Sequence, residues 1–207
     1  MFKKLAFGLL LASAAAAAAE TDWQPLYNRV DPDLPKSLEQ RLAQNPEWKR
    51  LVARKKLAVG LVDLSGDTPR FARVNGNQMM YAASLPKIAI LVAAYASFED
   101  GSLAETEEVH KDLGDMIRVS SNPAATRLID RIGMKKIQAV LRDPKIGFYD
   151  EKRGGGLWVG KRYASAGPRV GDPMFNISHG ATATQVCRFF YLLASGRLIN
   201  EKRSAQM

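Results

Sequence analysis

Ser84-Leu85-Pro86-Lys87 stands where an extended segment, Met79 to Ala83, gives way to the apolar run Ile88 to Tyr95. Side chains three positions apart share one face of a helix, so a helix opening here brings the Lys87 amine within reach of the Ser84 hydroxyl. Pro86 suits a first helical turn, where its missing N–H costs nothing. A serine hydroxyl is a poor nucleophile at neutral pH, and an amine can take its proton if burial and a helix N-terminus lower the amine's pKa. The same helix end offers backbone N–H groups to a developing oxyanion. That is acyl-transfer chemistry. The spacing alone equally allows an N-capping serine and a solvated lysine.

A second constellation, Ser120-Ser121-Asn122-Pro123, lies between two helical stretches, with Asn122 placed to cap the second and Pro123 in its first turn. Capping is the ordinary use of such residues. Facing a Ser-x-x-Lys helix, however, a hydroxyl and an amide can relay a proton to a leaving nitrogen and hold a substrate carbonyl.

The elements that must position these groups follow from pattern. Trp23 to Pro35 reads as irregular, and Ser37-Leu38-Glu39-Gln40 has the form of a capping box opening a helix that breaks at Asn45-Pro46 and resumes through Trp48, Leu51 and Val52. Leu57 to Leu64 and Arg70 to Val74, joined through Ser65-Gly66-Asp67, form a β-hairpin. Helices are expected over 87–99, 112–119, 123–132 and 135–141, the third stopping at Gly133. Asp143 to His179, with Gly154-Gly155-Gly156 and several prolines, reads as one long loop of the functional or mobile kind. The last full helix spans 183–194, with Val186, Phe189, Phe190 and Leu193 on one stripe, and Asn200 caps a further one.

Met1-Phe2-Lys3-Lys4, the apolar run Leu5 to Ala19 and its closing alanines form a secretory signal over residues 1–19, leaving one domain over 20–207 that is periplasmic or secreted, with no stable membrane span after cleavage. Cys187, the sole cysteine, allows no internal disulfide. The net charge of +9 is scattered instead of gathered with aromatics, which argues against a nucleic-acid partner. No His, Cys, Asp and Glu spacing suits a metal, His110 reads as a surface residue, and no cofactor is expected. A monomer is expected.

With both motifs in order, the chain resembles the penicillin-recognising serine hydrolases, and among them the class A β-lactamases. The resemblance runs from about Leu57 onward and includes the hairpin, Ser84-Leu85-Pro86-Lys87 with its buried helix, Ser120-Ser121-Asn122-Pro123-Ala124-Ala125 followed by Leu128 and Ile129, and Ala181-Thr182-Ala183-Thr184 leading into a helix that ends Ser195-Gly196-Arg197-Leu198. It implies an α/β fold of the β-lactamase and transpeptidase kind, a helical domain beside an α+β sandwich whose sheet is built from the two chain ends. It implies acylation of Ser84 by a β-lactam or by a peptidoglycan stem peptide ending in D-alanine. Lys87 would be the base or its partner, Ser120 the proton relay to the leaving nitrogen, and Asn122 a substrate-binding residue that also orients Lys87. Which group takes the serine proton is disputed in the family. The Ser84 N–H and one from a later strand would form the oxyanion hole.

Several features depart from that pattern. Ser120 follows Ser84 by 36 positions, a short interval, and Ser121 stands where class A enzymes usually carry aspartate. The loop lacks the Glu-x-x-Leu-Asn segment whose glutamate activates the deacylating water; Asp150 and Glu151 are the candidates to replace it, against their reading as solvated loop charges. The Lys-Thr-Gly strand motif is absent up to Met207, so a C-terminally truncated chain with an incomplete sheet is expected. His179-Gly180-Ala181-Thr182 is read as lying ahead of a helix and not as a strand motif. Three functions follow: an exported class A-type β-lactamase hydrolysing the lactam amide, a D-alanyl-D-alanine carboxypeptidase or transpeptidase that binds β-lactams as slow inhibitors, or an inactive cell-wall-binding relative.

Overall fold

The computed structural model describes residues 23–207, so the leader expected over 1–19 lies outside the described residues. Helix α1, Leu34–Ala43, begins before the expected capping box. The Asp31 carboxylate accepts from the Asp33 and Leu34 N–H groups, and Pro35 fits the first turn, so Ser37 falls inside the helix. The break at Asn45 is as the sequence suggests. Its Oδ1 accepts from the Glu47 and Trp48 N–H groups and opens α2, Pro46–Ala53. The lead before α1 contains one 3₁₀ turn, Leu26–Asn28, and Val30 bridges Phe71.

Strands β1, Val59–Asp63, and β2, Arg70–Val74, form the expected antiparallel hairpin, closed by the Arg70 guanidinium on Asp63. Among the described residues β1 has a strand neighbour on one side only. Its face is instead packed by α7, Ala183–Ala194. Gly60 permits that approach, because a Cβ there would lie 2.5 Å from Cys187 Sγ.

Strand β3, Met80–Tyr81, leads to α3, Lys87–Glu99, whose residues from Lys87 to Tyr95 are all buried. A helix apolar all round belongs in the middle of a bundle, and α3 is surrounded by α4, Glu107–Arg118, α5, Asn122–Ile132, and α6, Met134–Arg142. Helix α4 begins earlier than the expected residue 112. The Thr106 hydroxyl caps it through the Val109 N–H, with Glu107 and Glu108 against the positive end of its dipole. Asp112, buried on α4, pairs with Arg127 of α5 at 2.6 Å and fixes the two helices against each other.

Asp143 to His179 is not one irregular loop. It holds β4, Tyr149–Asp150, a 3₁₀ turn at Glu151–Arg153, β5, Gly155–Gly156, and β6, Trp158–Val159, and it runs into β7, His179–Ala181. Two- and three-residue strands are too short to show a period, which is why the sequence conceals them. The β4–β5 hairpin depends on its glycines: a Cβ on Gly156 would sit 1.9 Å from the Phe148 carbonyl oxygen, and Gly155 holds φ +93°. Strand β7 pairs with β3 on one side and β6 on the other, so His179 does occupy a strand, contrary to expectation. On α7, Phe189 is buried but Phe190 faces solvent, so the expected stripe is narrower than it read. Asn200 caps α8, Glu201–Gln206, as expected.

Candidate active site

Ser84 is an exposed residue, whereas Lys87 directly beneath it is only 3% exposed. Entry into α3 is a tight turn: the Lys87 N–H donates to the Ser84 carbonyl and the Leu85 N–H to the Ala82 carbonyl. That turn puts Lys87 Nζ 3.2 Å from Ser84 Oγ, as the three-residue spacing implies. Ala83, just before the nucleophile, is held at φ +47°, a left-handed conformation costly for any residue with a Cβ. The Ser84 N–H donates to no group among the described residues and remains free for an oxyanion.

The second motif meets the first. Lys87 Nζ donates to Ser120 Oγ at 2.9 Å, the Ser120 carbonyl at 2.6 Å and Asn122 Oδ1 at 2.8 Å. Ser120 turns both oxygens toward one amine because its backbone is left-handed, φ +55°. Its position is anchored next door, where the Ser121 N–H donates to the Asp115 carbonyl at the end of α4. The expected capping role falls to Ser121, whose hydroxyl accepts from the Ala124 N–H. Asn122 is the first helical residue, and its amide is therefore free to face Lys87.

Burial lowers the Lys87 pKa from its ordinary value. No carboxylate opposes this, since none among the described residues touches Ser84 or Lys87. Asp150 and Glu151 are committed elsewhere. Asp150 accepts from the Lys152 N–H and pairs with Arg153, while Glu151 pairs with Arg142. Asp150 also lines a cavity of about 580 Å³ with Trp23, Tyr27 and Arg188, which neither Ser84 nor Lys87 borders.

Two further residues border the site, Tyr163, which no sequence pattern marks, and His179, which the sequence places ahead of a helix and outside the site. The Tyr163 ring lies 4.8 Å from Lys87 Nζ, and its hydroxyl donates to the Ala83 carbonyl at 3.1 Å. His179 stacks on the same ring, centroids 4.3 Å apart and planes 3° from parallel. Nothing in the composition of the 143–179 segment distinguishes Tyr163; only the tertiary contact reveals it. His179 carried a signal, a histidine beside glycine and a hydroxyl, but its strand was invisible. Among the described residues no group of three or more His, Cys, Asp or Glu side chains is gathered to hold a metal ion, and no helix is long and apolar enough to cross a membrane.

Residues 45–113 match the model of the beta-lactamase enzyme family, a span that includes Ser84 and Lys87 but ends before Ser120. The structure superimposes on a beta-lactamase from Sphaerobacter thermophilus with a TM-score of 0.51 at 18% identity, covering 77% of this chain and 66% of that one. The fold is that of the β-lactamases and penicillin-binding proteins. PBP-A aligns with a TM-score of 0.53 at 16% identity, covering 82% of this chain and 66% of its own. The chain thus spans just under two thirds of the length of either structure. No curated protein matches it in sequence.

Proposed function

We propose that the protein is a penicillin-recognising serine hydrolase in which Ser84 forms an acyl-enzyme with a β-lactam or a D-alanyl peptide. The observation that carries this is the convergence of Ser84, Ser120 and Asn122 on the buried Lys87 amine. A neutral amine has two hydrogens and one lone pair. The Ser120 carbonyl and Asn122 Oδ1, which can only accept, take the hydrogens, so the lone pair is left for a hydroxyl proton.

In acylation Ser84 Oγ gives its proton to Lys87 Nζ as it bonds to the substrate carbonyl carbon, and the Ser84 N–H receives the developing oxyanion. As the carbon–nitrogen bond breaks, the leaving nitrogen takes a proton from Ser120 Oγ, which Lys87 replaces. Asn122 holds Lys87 and faces the substrate. The step needs no cofactor.

The absence of a carboxylate beside Ser84 and Lys87 among the described residues favours slow release, because water then lacks an obvious base. The penicillin-binding, D-alanyl peptidase-like reading therefore stands ahead of an efficient β-lactamase. An extracytoplasmic location, periplasmic or secreted, rests on the sequence of residues 1–19 alone.

Mixing the protein with a penicillin and following the mass of the intact chain tests the reading. A Ser84 adduct that outlasts many minutes supports a penicillin-binding protein, fast accumulation of ring-opened product supports a β-lactamase, and neither product contradicts both.

A further inference from the structure

The segment between Gly160 and Ser178 is tied at both ends, the Gly160 N–H donating to the Ser178 carbonyl and Lys161 bridging Arg169. At its bend it carries Arg162 and Tyr163. Arg162 Nε donates to Asp130 of α5 at 2.6 Å, and the Tyr163 hydroxyl donates to the Ala83 carbonyl. The bend is thus fastened to both motif-bearing segments, the turn that carries Ser84 and the helix that starts at Asn122. Asp172, itself buried, closes the segment's base by accepting from the Tyr149 hydroxyl and the Met174, Phe175 and Ile177 N–H groups.

We propose that Tyr163 is a positioning residue, which seals Lys87 from water with its ring face and fixes the strained residue before the nucleophile with its hydroxyl. The proposal rests on the acyl-transfer reading of Ser84 and Lys87. Three contacts converge on this side chain: Lys87 Nζ at 4.8 Å from the ring, His179 stacked on it, and the Ala83 carbonyl at its hydroxyl. His179 is only 6% exposed and backs the ring so that it cannot swing aside. The Ala83 bond opposes relaxation of a left-handed alanine, and relaxation there would move Ser84 itself.

Charge around Lys87 agrees with a sealing role. The groups facing its amine are the Ser84 and Ser120 hydroxyls, the Ser120 carbonyl, the Asn122 amide and the Tyr163 ring, all neutral. Beyond the ring stands His179, whose pKa is lowered by burial first and then by the charges of Lys161 and Lys87. Exclusion of water is therefore what favours the neutral amine, and Tyr163 forms part of that exclusion. A ring face attracts a cation and works the other way, but it cannot replace the hydration that its loss would restore.

The test compares Tyr163→Leu, which removes the ring's face and hydroxyl, with Tyr163→Phe, which keeps the ring. Two readouts are taken: the pH dependence of Ser84 labelling by a fluorescent penicillin, and the titration of Lys87 by NMR of protein carrying ¹³C-lysine, its signal assigned with Lys87→Met. In Tyr163→Leu both inflections are expected to move up by about one pH unit, so that labelling at neutral pH drops about tenfold. In Tyr163→Phe the inflections stay in place and labelling slows a few-fold at every pH. Should Tyr163→Leu fail to fold, Asp130→Asn, which releases Arg162 and loosens the bend, is expected to shift Lys87 in the same direction. Unmoved or lowered inflections in the folded variant overturn the proposal. If the wild type takes no label at all, the acyl-transfer reading falls, and the Lys87 titration alone still decides the role of Tyr163.

Discussion

Lys87 Nζ lies closer to the Ser120 carbonyl oxygen, at 2.6 Å, than to the Ser84 hydroxyl, at 3.2 Å. The resting amine is held by the second motif and leans on the nucleophile only loosely. Its hold on Ser120 and Asn122 fixes where the lone pair points, and so the base is oriented before substrate arrives. Such pre-positioning contributes to catalysis only if Lys87 is neutral when substrate binds, and burial without a counter-ion favours that state.

Acylation should therefore accelerate as pH rises. Lys87 is a base with a lowered pKa, so its active neutral fraction grows as pH approaches that value and levels off above it. Below the inflection the rate should fall about tenfold per pH unit, and the inflection should lie under the ordinary lysine value of about 10.4. Stopped-flow labelling between pH 6 and pH 10 checks this; a rate that falls with rising pH contradicts it.

Asn122→Ala and Asn122→Asp should act differently. Alanine removes one acceptor from the amine and should slow acylation roughly tenfold to a hundredfold, the scale of one lost hydrogen bond to a group that becomes charged. Aspartate places a negative charge within hydrogen-bond reach and should stabilise the ammonium, moving the pH inflection upward. Labelling rates across pH distinguish the two.

The first motif was legible because helical spacing is a strong local rule. Ser84, Pro86 and Lys87 lie within one turn, and α3 occupies the very span its apolar run indicated. In the second motif the sequence points to Asn122 as the cap, whereas Ser121 takes that place. Ser121 and Asn122 are both capping residues by type, and only the positive φ of Ser120 decides which of them caps and which faces Lys87. The 143–179 segment was opaque for a different reason. Strands β6 and β7 owe their existence to pairing with each other and of β7 with the distant β3, and β4 and β5 form a hairpin two residues deep, so none carries a pattern within itself. The β7 pairing places His179 behind the Tyr163 ring that faces Lys87, so the role of neither residue is legible locally.

Asp172→Ala should loosen the segment that carries Tyr163. The buried carboxylate accepts from one tyrosine hydroxyl and three backbone N–H groups, and its loss leaves them without a partner. Hydrogen bonds to a charged group contribute about 1.5–3 kcal/mol, so a destabilisation of about 2–3 kcal/mol is expected in urea unfolding. Hydrogen exchange should quicken at residues 174–177 before the α3 helix is affected.

Gly156→Ala should be among the most damaging of single-methyl additions. The new Cβ would meet the Phe148 carbonyl oxygen at 1.9 Å, a backbone atom that cannot rotate away. The β4–β5 hairpin must then separate, and thermal melting should show a marked loss of stability, while Gly66→Ala, in open space, should behave nearly as wild type.

The pairing of Ser84 with Lys87 is tested most directly by peptide-mapped mass spectrometry after a brief exposure to penicillin. The wild type should carry the intact drug mass on Ser84, Ser84→Ala should carry none, and Lys87→Met should acquire it about a hundredfold to ten-thousandfold more slowly. Modification at another residue, or labelling of Lys87→Met at the wild-type rate, would contradict the central claim.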